Sequence, residues 1–131
     1  MNRGFATLAV KFSLISVMVL NLPPASAAWL YQFPIADCTA KYARAHHDYP
    51  ATDILAKKGC AFVAPIDGVV EDVNSKDIWS SKNNRGQDRG GLSVSIIGID
   101  GVRYYGSHLI SIADGIAPGV SVLAGDLLGK V

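Results

Sequence analysis

The stretch 60–73, CAFVAPIDGVVEDV, decides the fold. Cys60 to Ile66 is apolar and partly β-branched, Asp67-Gly68 is a strong hairpin signal, and Val69 to Val73 returns with apolar residues alternating toward its end. The pattern recurs downstream. Leu92 to Ile99 (LSVSIIGI) begins by alternating apolar and small polar side chains, Asp100-Gly101 makes the turn, and Val102 to Tyr105 leads into Gly106-Ser107-His108. Residues 110–131 carry Gly115, Gly119, Gly125 and Gly129 between short apolar stretches, which predicts turns alternating with brief strands. The expectation is an all-β domain, an antiparallel sheet of short strands and hairpins.

Between the hairpins, residues 74–91 are rich in charge, Asn, Ser and Gly, and read as a solvated loop. Trp79 is the exception: an aromatic ring there either packs back on the sheet or forms one wall of a substrate groove.

The N-terminus speaks for the compartment. Arg3 opens a short basic segment, Phe12 to Leu22 is an apolar run, and Pro23, Pro24 and Ala25-Ser26-Ala27 follow. That is the layout of a secretory signal peptide, with cleavage expected after Ala27. The apolar run is shorter than the roughly 20 residues needed to cross a bilayer, so no stable membrane span is expected after cleavage. Removing residues 1–27 from a chain of 131 leaves 104, enough for a single domain over 28–131. The expected location is the periplasm or the extracellular envelope. A formal net charge of +1 gives no reason to invoke nucleic acid as a partner.

Both cysteines, Cys38 and Cys60, lie in the exported part, where a disulfide persists. A bridge between them is the expectation, with two buried thiols or a metal-ligating Cys as the alternatives. Closing a loop of this length stabilises by roughly 3 kcal/mol on the chain-entropy argument.

The loop so enclosed contains the chemistry-bearing run HHDYPATDI at 46–54. Histidine nitrogen and aspartate oxygen are both zinc donors, and a catalytic zinc takes three protein ligands and leaves one position for water. His47 and Asp53 are an even number of positions apart, so on a broadly extended segment they share one face and His46 points to the other. A straight strand would hold them about 20 Å apart, so the chain must bend between them, and Pro50 sits where a bend would help.

Taken together, HHDYPATDILAKKGCAFVAPIDGVVEDV and VRYYGSHLISIADGIAPGVSVLAGDLLGKV resemble the two leading motif blocks of the lysostaphin or LytM-type zinc endopeptidases. The first resembles the family's His-x-Gly-x-Asp ligand motif and the hairpin after it, with a His to Asp interval two residues longer and Cys60 where Thr is usual. The second resembles the Tyr-x-His-Leu block, with Tyr105 one residue further from His108 than the motif has it. The resemblance implies a lysostaphin-like (duplicated-hybrid-motif) fold, zinc as cofactor, His47 and Asp53 as metal ligands, and His108 as a catalytic histidine that helps activate water. Tyr105 and Trp79 are candidate groove residues beside these. It implies the peptide of peptidoglycan as substrate, within cell-wall remodelling. The family's third block, with two further histidines, would begin after Val131, so the sequence as it stands is expected to be C-terminally truncated and inactive. The competing expectation is a non-catalytic domain of the same fold that binds cell wall or regulates another cell-wall hydrolase.

Overall fold

The computed structural model describes residues 29–46, 49–82 and 84–131. The signal peptide read at 1–27 lies outside the described residues. Ten strands follow in order: β1 Ile35–Ala36, β2 Lys41–Tyr42, β3 Ile54–Leu55, β4 Ala61–Val63, β5 Gly68–Asn74, β6 Leu92–Gly98, β7 Arg103–Leu109, β8 Ser111–Ile112, β9 Ser121–Val122 and β10 Leu127–Lys130. The described helical structure is a single 3-10 turn at Gly86–Asp88. The protein is all-β and every strand pair is antiparallel, as the sequence predicts.

Two four-stranded sheets, β1-β4-β10-β8 and β7-β6-β5-β9, accompany the small β2-β3 pair. The core is shared between the two larger sheets. Phe62 and Leu128 come from the first, Val70, Val94, Ile96, Leu109 and Val122 from the second, and all are buried in one cluster. Inner faces of two sheets burying each other's apolar side chains is how a small β domain removes them from water.

The hairpin predicted at Asp100-Gly101 is present. β6 pairs with β7 from Ile97↔Arg103 to Leu92↔Leu109, and Gly101 holds φ 76° at the turn, a conformation that costs glycine nothing. Asp100 fastens this turn: its carboxylate accepts from the Val102 N–H at 3.0 Å, from Tyr104 at 2.7 Å and from Tyr31 at 2.9 Å. Desolvation pushes the Asp100 pKa up, but the bonds from Tyr104, Val102 and Tyr31 outweigh it and leave the carboxyl below its ordinary value.

The hairpin predicted at Asp67-Gly68 is replaced by a corner. β4 pairs with β1 and β10, whereas β5 pairs with β6 and β9, so the chain leaves one sheet at Val63 and enters the other at Gly68. Asp67 anchors the corner to two other loops: its carboxylate accepts from Ala124 N–H at 2.8 Å and its carbonyl from Ile99 N–H at 2.9 Å. Gly68 serves by lacking a side chain, because a Cβ there would run into the Ile97 carbonyl oxygen of the neighbouring strand. Cys38 and Cys60 form a disulfide with Cα atoms 5.7 Å apart, fixing the segment after β1 to the start of β4.

Candidate functional site

A cleft of about 560 Å³ opens between β7 and the β2-β3 hairpin. One wall is β7 itself, Arg103 to Leu109; the other includes His46, Tyr49 and residues 52–56, with Pro34, Ile35 and Phe62 among its remaining lining. Asp53 and His108, two of the residues singled out from sequence, are thus brought to one cleft, and Tyr105 lines it with them. Trp79 is not among the lining residues; it lies half-exposed in the loop after β5. His47 lies outside the described residues.

The wall carrying Asp53 is held at its base. Lys41↔Leu55 and Tyr42↔Ile54 are in register, and the Asp53 carbonyl accepts from the Ala43 N–H at 2.9 Å. Residues between Tyr42 and Ile54 therefore close a hairpin, bending at Tyr49 and Pro50 as the sequence requires. The disulfide closes the same excursion outside it, since Cys38 precedes β2 and Cys60 follows β3.

His46 is the correction here. Alternation along an extended strand sends it away from Asp53, yet it lines the same cleft. The segment is a loop, so strand parity has no hold on it. The His46 ring packs on Tyr49 with centroids 4.1 Å apart, and its Nδ1 lies 2.9 Å from the Tyr49 carbonyl oxygen, where an Nδ1–H tautomer donates to that oxygen. The signal for this pairing was available as an aromatic residue three positions on, just before Pro50.

His108 owes its position to a bulge. The β6-β7 register shifts between Val94↔Gly106 and Leu92↔Leu109, which leaves one extra residue on β7, and His108 takes φ 55° there. Its N–H donates to the Gly90 carbonyl at 2.7 Å instead of to the ladder. Bulges re-aim side chains at the edge of a sheet, and a non-glycine residue with positive φ stores local strain at such places. On the other face of β7, the Arg103 guanidinium sits 5.2 Å from the Tyr105 ring centroid and pairs with Glu71. The bonds from Arg103 and from Ser95 Oγ hold the Glu71 carboxyl below its ordinary range.

Chemically the cleft offers a carboxylate, two imidazoles and phenol rings around a strand of backbone amides. Among the described residues, which do not include His47, no group of three or more His, Cys, Asp or Glu side chains is spaced to hold a metal ion. No helix among them is long and apolar enough to cross a membrane. No protein-family model, curated protein or solved structure matches the chain.

Proposed function

We propose that the protein is a zinc-dependent endopeptidase of the LytM/lysostaphin type that hydrolyses peptide bonds in peptidoglycan. The observation that supports this reading is the meeting of Asp53 and His108, far apart in sequence, on one cleft floored by sheet. Zinc belongs to the proposal through the sequence resemblance alone, with His47 and Asp53 as its ligands. The roles of the chain's own residues follow from their chemistry. The imidazole of His108, a residue that lines the cleft at a bulge, suits the transfer of a proton to a leaving amine.

The competing reading is a wall-binding domain of the same fold without catalysis. Native protein isolated from its own cells, loaded with zinc and incubated with purified peptidoglycan, separates the two. Release of new amino termini, lost in Asp53→Ala and His108→Ala variants whose near-ultraviolet circular dichroism is unchanged, supports the endopeptidase. Co-sedimentation with peptidoglycan that survives chelation, with no new amino termini from zinc-loaded protein, would sink it in favour of the binding domain.

A further inference from the structure

We propose that the outer edge of β7 is a docking rail for an extended peptide, which adds to the β7-β6-β5-β9 sheet as a further strand. β7 ends that sheet, and it is the long edge: the other described edge strands of the two larger sheets, β1, β8 and β9, have two residues each, against seven for β7. At about 3.3 Å per residue the rail is roughly 20 Å long.

The ladder fixes which groups face outward. The Gly98 N–H donates to the Val102 carbonyl at 2.9 Å, so Gly98 and Val102 are a hydrogen-bonded pair. Hydrogen-bonded and non-bonded pairs alternate in an antiparallel ladder. The Ile96↔Tyr104 and Val94↔Gly106 pairs are therefore bonded, while at Ile97↔Arg103 and Ser95↔Tyr105 the β7 backbone turns away from β6. The N–H and C=O groups of Arg103 and Tyr105 thus point off the sheet, and among the described residues no backbone group pairs with them.

Natural sheets cover or shorten such an edge, because unpaired donors and acceptors in a row template another strand. Here the edge borders the cleft, with the β2-β3 hairpin on its far side. An extended peptide is the occupant whose chemistry matches, because its own donors and acceptors repeat at the spacing of the rail. The inference takes from the proposed function only the choice of wall peptide as the natural ligand; the backbone mode stands apart from catalysis.

The test uses the purified protein with an acetylated, amidated five-residue Ser/Val peptide and a soluble peptide fragment of peptidoglycan as probes. Bound probe should slow amide exchange at Arg103 and Tyr105 and leave Tyr104 and Gly106, already bonded to β6, unchanged. Methylating the probe's amide nitrogens at alternate positions should weaken binding about tenfold for one parity and leave the other parity near wild type. Equal binding by both parities, protection confined to residues 46–56, or edge protection that comes from self-association and excludes the probe would each overturn the rail. Edge protection without cleavage by zinc-loaded protein would leave the rail standing and reject the endopeptidase; cleavage without edge protection would do the reverse.

Discussion

Phe62 on β4 occupies the space that a side chain at Gly106 of β7 would need: a Cβ built on Gly106 would come within 2.5 Å of Phe62 Cδ1. The aromatic ring of one sheet is thereby pressed against bare backbone of the other, in the middle of the strand that walls the cleft. Phe62 also lines the cleft, so the contact ties core packing to the site's shape.

Gly106→Ala is expected to destabilise the fold by about 1–3 kcal/mol, because a close-packed core yields to an added methyl only by moving a ring or a strand. Urea unfolding would measure it. The double variant Gly106→Ala with Phe62→Leu should recover part of the loss, and a lack of any coupling between the two positions would refute the packing argument.

The disulfide should matter to one wall more than to the whole. Cys38 and Cys60 enclose the excursion that carries His46 and Asp53, while β5, β6 and β7 close their own sheet without it. Replacing both cysteines with serine is expected to cost about 2–4 kcal/mol, and in limited proteolysis the first cuts should fall between residues 39 and 59. First cuts within 92–109 would contradict this division.

Acid should release the Glu71–Arg103 pair. The bonds from Arg103 and Ser95 depress the Glu71 pKa below its ordinary 4.5. A depressed carboxyl contributes stability that is complete above the unfolded value and disappears as pH falls through the lower folded value. Urea midpoints taken from about pH 6 down to about pH 3 should therefore fall less steeply for Glu71→Gln than for wild type. Parallel curves would show that the pair contributes nothing to folding, the common outcome for exposed ion pairs.

Two Asp-Gly dipeptides show how far sequence reasoning reaches. Both look like hairpin turns, and at Asp100-Gly101 the reading holds because Gly101 supplies a positive φ between strands of one sheet. At Asp67-Gly68 the glycine is used for close approach, and the bonds that make a corner come from Ala124 and Ile99, too distant in sequence for any local pattern to announce. The strands were legible because short apolar, partly β-branched runs lie between turn residues, even where burial does not alternate, as over residues 93–96 of β6; their allotment to sheets was not, because tertiary partners decide it. The site divides the same way. Asp53 and His108 were visible as chemistry, and the bend at Pro50 followed from its fixed φ. The place of His46 depended on a loop whose direction no periodicity encodes.

The bulge at His108 exchanges stability for position, and this can be measured. An L-residue at φ 55° has its Cβ crowded by the following carbonyl, a cost of roughly 1–2 kcal/mol that glycine does not bear. The His108 side chain is exposed, so little packing is lost with it. His108→Gly is accordingly expected to raise unfolding stability by about 1 kcal/mol, and His108→Asn, which tolerates this conformation, by less. Both should lose peptidoglycan cleavage if the imidazole hands on the proton, since neither retains a group that can. A His108→Gly variant less stable than wild type would mean that the bulge is held by contacts of the ring, and the positive φ would then be a consequence of packing instead of a strain kept for the site.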